Sequence, residues 1–335
     1  MTDISARKAD HINLALQPRH QTGASAGFDR VRFEHNSLPQ LDLAEVDCSA
    51  VFLNQYCSAP LIIGAMTGGC EHGEMINRHL VEAAEQCHIP MAVGSQRAAL
   101  ESGLAQDLRR WAPNAILLGN LGGTQLQQQG VELAQRAVDS VRANAMIIHL
   151  NPLQELVQPG GDRDWRGVLE VIEQCCATLD VPVIIKEVGA GIGPGVAQRL
   201  MDVGVTWIEV AGRGGTNWAS IENARIELTR EQAIAAPFID WGMTTADLIP
   251  IVRSQSSLLG VVASGGVRHG LDIARAMRIG ANMTAIAQPF LQPALESTAA
   301  VIEKIEIFRE QLRWAMFLTG SKNLRQLQSA PLVSA

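Results

Sequence analysis

The feature that most constrains the fold is a pattern that recurs eight times along the chain. Short apolar runs each end in glycine or polar residues and are followed by a helical pattern, over residues 61–66, 91–93, 115–118, 146–150, 183–185, 207–210, 258–263 and 283–287. Continuous apolar strands that alternate with helices are typical of a parallel sheet covered on both faces. Eight such units favour closure into a (β/α)8 TIM barrel, with a doubly wound open sheet as the alternative.

The length of the chain agrees with a barrel that carries extensions. A (β/α)8 barrel takes roughly 250 residues, and the chain has 335. Residues 1–60 lack strong periodicity, so we expect an N-terminal arm that covers the substrate, with a short helix over 7–16. We assign residues 61–335 to the barrel and expect a C-terminal helix within 293–318.

Composition limits the partners and the compartment. The net charge of −7 argues against a nucleic-acid partner, because such binding depends on Lys and Arg that neutralise phosphates. The six cysteines form no CxxC pair, and no apolar run approaches the roughly 20 residues of a membrane helix. We therefore expect a cytoplasmic protein without membrane contact.

All eight runs end in residues that can do chemistry. In a barrel these ends lie on one rim, which is where such enzymes carry their sites. A single polar residue after a strand is often only a turn residue or a helix cap. The convergence of Lys, Arg, His, Asn and Gln on one rim therefore carries more weight than any one of them.

Three loops, two of them containing paired glycines, predict a phosphate site. Gly265 and Gly266 follow the seventh run together with Arg268, residues 287–288 follow the eighth, and residues 214–216 follow the sixth. Backbone N–H groups in such turns and at helix starts attract anions. The loops after strands seven and eight are the recurrent phosphate site of these barrels.

Lys186 directly follows the fifth run and has two interpretations. A buried ammonium needs an anionic partner, so Lys186 forms either a structural ion pair, with Glu187 or Glu209, or a contact with a flavin. In the second case it faces the N1–C2=O edge, where reduction builds negative charge. Thr67 and Asn120 are then placed to hydrogen-bond other polar positions of the flavin ring.

Several motifs together resemble one family. They are Arg-Lys-Ala-Asp-His at 7–11, Met-Thr-Gly-Gly at 66–69, Gly-Ser-Gln-Arg at 94–97, His-Leu-Asn-Pro-Leu-Gln-Glu at 149–155, Lys-Glu-Val-Gly at 186–189, Gly-Arg-Gly-Gly-Thr-Asn-Trp at 212–218 and Ser-Gly-Gly-Val-Arg at 264–268. This set resembles the type 2, FMN-dependent isopentenyl-diphosphate Δ-isomerases from residue 7 to about residue 327. The first and fourth motifs are specific to that family, whereas Gly-Gly-Val-Arg is shared with other FMN barrels.

The resemblance implies a reaction and its cofactors. It implies that isopentenyl diphosphate and dimethylallyl diphosphate interconvert by movement of a double bond, without net redox change. Reduced FMN would relay the proton, NADPH would reduce the flavin, and Mg2+ would bind the diphosphate. The resemblance also implies a homo-oligomer, a tetramer or an octamer.

The resemblance also assigns residues to roles. The substrate-binding set is Arg7, Lys8, His11, Ser95, Gln96, Arg97, His149, Asn151 and Gln154. The FMN-binding set is Ala65, Met66, Thr67, Ser95, Asn120, Lys186, Thr216, Gly265, Gly266, Val267, Arg268, Ala287 and Gln288. Glu155 matches the Mg2+ ligand, ahead of Asp162 and Asp164, which belong to a structural loop in the family pattern. Glu222 is a candidate for assistance in proton transfer.

Two other functions stay open at this stage. An FMN oxidoreductase of the hydroxy-acid-oxidase type would use Lys186 and the same phosphate loops, with His269 beside Arg268 as a hint of a proton-abstracting pair. It would not explain the motif at 7–11 or the one at 149–155. A non-catalytic flavin-binding protein would bind the flavin without turnover.

Overall fold

A computed structural model shows a closed barrel of eight parallel strands, and this confirms the expected fold over the open sheet. The structure describes residues 10–11, 13–21, 25–66, 73–103 and 107–333. The strands are β1 Ala50–Phe52, β2 Gln55–Cys57, β3 Leu61–Ile63, β4 Met91–Ala92, β5 Leu117–Gly122, β6 Ala145–His149, β7 Val183–Lys186, β8 Trp207–Glu209, β9 Gly260–Ala263 and β10 Met283–Ile286. Strands β3 to β10 pair in chain order, and β10 returns to β3 and closes the barrel.

Helices cover the outside of the barrel. They are α1 Gly73–Gln86, α2 Arg97–Ser102, α3 Gly123–Gln129, α4 Val131–Val141, α5 Pro152–Val157, α6 Val168–Thr178, α7 Pro194–Asp202, α8 Trp218–Ala224, α9 Thr229–Ala235, α10 Thr245–Arg253, α11 Gly270–Arg278, α12 Gln288–Glu296, α13 Thr298–Leu318 and α14 Leu324–Leu327. Short 3-10 helices occupy Pro18–His20, Phe28–Arg30, Leu43–Glu45, Leu108–Arg110 and Ala236–Phe238. Within the described residues, every helix is too short or too polar to cross a bilayer.

Strand β5 is longer than its apolar run because it continues through two glycines. The run predicts residues 115–118, but the strand reaches Gly122 and pairs with β6 in register. A Cβ on Gly119 would lie 3.0 Å from the Gln96 side chain and 3.1 Å from Met146 Sδ. Glycine is used here for close approach and not for a turn. Asn120 therefore lies within a paired strand and not in a turn.

A hairpin closes the N-terminal end of the barrel, where the sequence predicts only irregular structure. Strands β1 and β2 pair antiparallel around Leu53 and Asn54, whose φ values of 50° and 60° are those of a type I′ turn. Phe52 is fully buried, and its ring meets Trp207 edge to face at 4.9 Å. Strands of three residues are too short to show a period, so the sequence pattern does not reveal them.

The C-terminal region forms two helices, whereas one helix is predicted over 293–318. Helix α12 ends at Glu296 and α13 begins at Thr298. Ser297 separates them in an extended conformation, and its hydroxyl accepts a hydrogen bond from the amide of Ala300. This is an N-cap, which restarts the helix in a new direction.

The hairpin yields a prediction about stability. We expect Phe52→Ala to lower the free energy of unfolding by about 3–5 kcal/mol, because it leaves a cavity below the barrel core. Val51→Ala on the same strand is the matched control, since Val51 is 72% exposed, and we expect a change within about 0.5 kcal/mol. Urea denaturation followed by circular dichroism measures both. Equal midpoints for the two variants would contradict a packed hairpin.

Candidate active site

One large cavity opens at the C-terminal ends of the barrel strands. Its volume is about 670 Å3, within the usual range of roughly 300–1,000 Å3 for small-molecule sites. The predicted site residues that line it are His11, Ala65, Met66, Ser95, Arg97, Asn120, His149, Asn151, Gln154, Glu155, Lys186, Thr216, Gly265, Gly266, Val267, Arg268, Ala287 and Gln288. The structure thus brings the predicted substrate and cofactor residues to one cavity.

Two predicted site residues lie behind the cavity wall. The buried Gln96 side chain accepts a hydrogen bond from the Asn120 amide at 2.8 Å and donates to the Ala137 carbonyl at 2.9 Å. It therefore fixes the backbone of β5 instead of lining the cavity. Glu222 is fully buried and contacts residues that do line it. The predicted Arg7, Lys8 and Thr67 lie outside the described residues.

The loop after β9 forms a cradle suited to a phosphate. Gly265 and Gly266 have φ values of 90° and 77°, and a Cβ on either would collide with a carbonyl oxygen of the loop after β8. The Thr245 hydroxyl contacts the carbonyls of Ser264 and Gly265 at 2.9 and 2.6 Å and holds this loop in place. Successive glycines in this conformation expose backbone amides, which form anion-binding nests.

The start of helix α12 adds a further donor to the same cavity. Its N-cap is Ala287, which has no side chain able to cap the helix, and both Ala287 and Gln288 line the cavity. Pro289 has no N–H and the Phe290 amide already donates to the Ala287 carbonyl at 3.0 Å. The Gln288 amide is therefore the one at this helix start that needs an acceptor, and the helix dipole favours an anion there. The cradle and this helix start fit the phosphate of FMN.

Lys186 and Glu209 form a buried ion pair in the cavity floor. The Lys186 ammonium lies 2.8 Å from Glu209 Oε1 and donates a hydrogen bond of 2.8 Å to the carbonyl of Glu187. Lys186 and Glu209 pair across β7 and β8, so the backbone register places their side chains together. Of the two carboxylates that the sequence leaves open as partner, Glu209 is the one observed.

The Glu187 carboxylate has a different task. Its Oε2 accepts hydrogen bonds from the four backbone amides of residues 188–191, at 2.6 to 3.0 Å. Burial raises the pKa of Glu187, although these amides act in the opposite direction. The bonds fold the loop after β7 over its own carboxylate, and Val188 and Gly189 of that loop line the cavity.

His149 is held as a neutral acceptor. Its Nδ1 lies 2.9 Å from Asn120 Oδ1, while Asn120 Nδ2 donates to the Val93 carbonyl at 3.0 Å. Because Asn120 is oriented by that second bond, Nδ1 carries the proton and Nε2 keeps a lone pair. Burial and the positive charge of Lys186 lower the pKa of His149 to about 4.

Glu155 is a carboxylate held by neutral donors. Its Oε1 accepts from Asn151 Nδ2 at 2.9 Å and its Oε2 from the Asp162 amide at 2.8 Å. The Asp162 carboxylate turns toward two side chains of α3, and Asp164 pairs with Arg166 on the surface. No cluster of three metal-ligating side chains exists among the described residues. One carboxylate that faces a cavity suits Mg2+, which also binds substrate phosphates and waters.

The N-terminal arm docks against this wall of the cavity through Glu222. His11 Nε2 lies 3.0 Å from Glu222 Oε1, to which Gln154 also donates at 3.0 Å, and Arg225 lies 2.8 Å from Oε2. Burial alone would raise the pKa of Glu222. The hydrogen bonds from His11, Gln154 and Arg225, together with the charge on His11, outweigh burial and lower that pKa.

Further contacts hold the arm next to the phosphate loops. The His11 ring meets Trp218 edge to face at 5.2 Å. Gln21 pairs with Thr216 as an isolated antiparallel bridge, and the Asn217 amide donates to the His20 carbonyl at 2.9 Å. The arm therefore contacts both α8 and the loop between β8 and α8.

Sequence reasoning missed the supporting residues more than the lining ones. The glycines at 189 and 191, with φ values of 148° and 93°, are the signal that a tight loop follows Glu187. No comparable signal marks Gln21, because its contact with Thr216 joins segments far apart in the chain. His269, the hint of an oxidase, accepts a hydrogen bond from the Asp272 amide and caps α11.

Solved structures of other proteins share the fold of this chain. Mandelate oxidase mutants with (S)-mandelic acid and with a monooxide FMN adduct superpose with TM-scores of 0.66 and 0.64 at 18% and 17% identity. Each covers 97% of this chain, and this chain covers 94% and 92% of theirs. At this identity the likeness establishes the barrel fold alone.

The fold and the phosphate cradle, together with a match of residues 158–334 to the FMN-dependent dehydrogenase family, define an FMN-dependent barrel protein. Two bacterial relatives narrow this class. The isopentenyl-diphosphate delta-isomerase of Pseudescherichia vulneris is 47% identical over 97% of this chain and 96% of its own length. That of Stutzerimonas stutzeri (strain A1501) is 48% identical over 98% and 97%. The chain belongs to the FMN-dependent isopentenyl-diphosphate delta-isomerase family.

The environment of His149 yields a prediction about its titration. We expect NMR of 13C-labelled histidine to show a His149 pKa of about 4. Lys186→Met removes the neighbouring charge and should raise this pKa, yet not to 6.5, because burial remains. Lys186→Arg keeps the charge and is the matched control. A wild-type midpoint near 6.5, or one that Lys186→Met leaves unchanged, would contradict this electrostatic account.

Proposed function

We propose that this chain interconverts isopentenyl diphosphate and dimethylallyl diphosphate without net redox change. One observation carries the proposal: a single cavity joins a phosphate cradle at Gly265 and Gly266 to a second polar group, which includes His149, Gln154 and Glu155. A flavin site alone would need only the first. The second group and the docked arm fit a diphosphate bound next to the flavin.

FMN fits the first part of the cavity. The amides of Gly265, Gly266 and the start of α12 would hold its phosphate, and Lys186 and Asn120 would contact its ring. When bound in its reduced form, FMN supplies an electron-rich group that can relay a proton to and from the alkene. We propose NADPH as its reductant.

The residues of the second part bind and orient the substrate. Arg97 lines the cavity and pairs with Glu101 at 2.9 Å, so its guanidinium is held in position to meet a diphosphate. We propose that Arg7 and Lys8 add positive charge, because they directly precede the helical segment that carries His11. Glu155 would bind Mg2+ on the diphosphate.

The wall of the second part of the cavity is lined by polar side chains. Asn151 and Gln154 line the cavity and hydrogen-bond the carboxylates of Glu155 and Glu222, which fixes their amide groups. We propose that the Nε2 lone pair of His149 accepts a proton or a hydrogen bond there, and that the ionised Glu222 assists by holding the His11 and Gln154 side chains. Removing water strengthens each of these interactions.

We further propose a cytoplasmic homo-oligomer, a tetramer or an octamer. Large apolar side chains are exposed on the segment around α9, at Leu228, Ile234, Phe238 and Trp241. A patch of this kind supports contact with another protein surface. The cysteines of the described residues are unpaired and mostly buried, which supports a reducing compartment.

The number of product molecules formed for each NADPH oxidised tests the proposed reaction directly. FMN-loaded protein is incubated without oxygen with isopentenyl diphosphate, Mg2+ and a catalytic amount of NADPH. We expect many molecules of dimethylallyl diphosphate for each NADPH oxidised, because an isomerisation consumes no electrons. Stoichiometric NADPH use would indicate an oxidoreductase, and bound flavin without product would indicate a binding protein. Either result would reject the proposal.

The proposed role of Glu155 has its own test. We expect Glu155→Gln to keep FMN and to raise the Mg2+ concentration needed for half-maximal activity by at least about 100-fold. The reason is that mutation of residues that only orient a metal ligand already lowers metal affinity or activity by about 10–100-fold. Asp164→Asn, which alters the rival carboxylate, should leave the Mg2+ dependence unchanged. Titration of activity with Mg2+ measures both. An unaltered Mg2+ titration in Glu155→Gln would remove Glu155 as the ligand.

A further inference from the structure

The cavity floor contains a carboxylate that neither phosphate binding nor the substrate group uses. Glu209 is 2% exposed and lines the cavity beside Lys186, at the end of β8. Its Oε1 lies 2.8 Å from the Lys186 ammonium. A buried carboxylate of this kind costs free energy unless it is paired, so its location calls for an explanation beyond packing.

The pair changes the electrostatic potential that the cavity presents to a ligand. An unpaired ammonium in a site shielded from water would stabilise any negative charge that develops nearby. A carboxylate 2.8 Å from that ammonium offsets much of its field, so the floor presents a dipole in place of a full positive charge. The positive charge of Lys186 also acts on His149, because together with burial it lowers the pKa of that imidazole.

FMN gains negative charge when it is reduced, and nearby charge tunes its electronics. We propose that Glu209 is a positioning residue that acts through Lys186: it holds the ammonium in place and offsets its charge, and so lowers the reduction potential of the bound FMN. The direction of this effect does not depend on which edge of the flavin ring lies nearest to Lys186. A lower potential means a more electron-rich reduced flavin, which suits proton transfer to an alkene.

Geometry assigns this task to Glu209 and not to its neighbour Glu187. Both carboxylates are buried and close to Lys186 in the fold. The Glu187 carboxylate is occupied by the amides of residues 188–191, and only its backbone carbonyl contacts the ammonium. Glu209 is the carboxylate that touches Lys186 Nζ, and the register of β7 against β8 places it there.

The reduction potential of bound FMN tests the proposal. Reduction of the FMN-loaded protein at pH 7 beside a reference dye gives the midpoint for each variant. Glu209→Gln keeps an oxygen that can accept from Lys186 but removes the charge, and we expect a higher midpoint. An increase of about tenfold in the preference for reduced over oxidised FMN corresponds to about 30 mV for two electrons. A midpoint that is unchanged or lower would overturn the proposal.

Two further variants separate charge from structure. Glu173→Gln makes the same chemical change on the exposed face of α6, and we expect no shift in midpoint. Glu209→Asp keeps the charge and should stay closer to the wild type than Glu209→Gln does. If Glu209→Asp and Glu209→Gln shift the midpoint equally, the effect comes from disturbed packing and the proposal is wrong.

A third variant keeps the proposal testable if Glu209→Gln fails to hold FMN. Lys186→Gln leaves the carboxylate without its cation, and we expect a midpoint below that of the wild type. A midpoint at or above the wild-type value would contradict an electrostatic role for the pair. These measurements need bound FMN but no substrate. They therefore stay informative if the proposed isomerase reaction fails, and that reaction stays testable if they fail.

Discussion

The parallel register of the barrel strands is the constraint on which the site depends. His149, Lys186 and Glu209 pair in one row across β6, β7 and β8. Parallel strands expose their carboxyl ends on the same rim, so three residues spread over 61 positions of sequence become neighbours. A shift of one residue in any of these strands would turn its side chain to the opposite face of the sheet, and the row would be lost.

That row shows how a protein places charge where water is scarce. The ammonium of Lys186 is balanced by Glu209, and the imidazole of His149 stays neutral because burial and Lys186 both oppose its protonation. Glu222 remains ionised in a fully buried position, because its hydrogen-bonding partners outweigh the cost of burial. Each charge thus has a partner at hand, and the cavity can be polar without being unstable.

The sequence predicts those parts of the structure that repeat or that meet at a rim. Eight apolar runs define the barrel, and the residues after them define the cavity lining. Both follow from the repeated alternation of apolar runs with helical segments along the chain. The hairpin below the barrel escapes prediction since three-residue strands have no period. The extension of β5 escapes it because Gly119 resembles a turn residue when only the sequence is known.

The supporting contacts are harder to predict for another physical reason. The family resemblance predicts Gln96 as a substrate contact, but its side chain points behind β5 and bonds to backbone groups there. Whether a polar side chain at a strand end faces inward or outward depends on the pleat and on partners from distant segments. The docking of the arm through His11 and Glu222 is of the same kind, since it joins residues 211 positions apart.

We propose that one cavity holds FMN and a diphosphate at the same time. The most direct test is a titration of FMN-loaded protein with isopentenyl diphosphate and Mg2+, followed by flavin absorbance and by the fluorescence of any released FMN. We expect saturable binding that perturbs the flavin spectrum while FMN stays bound. Release of FMN in proportion to the added diphosphate would contradict it, because the two would then compete for one phosphate site.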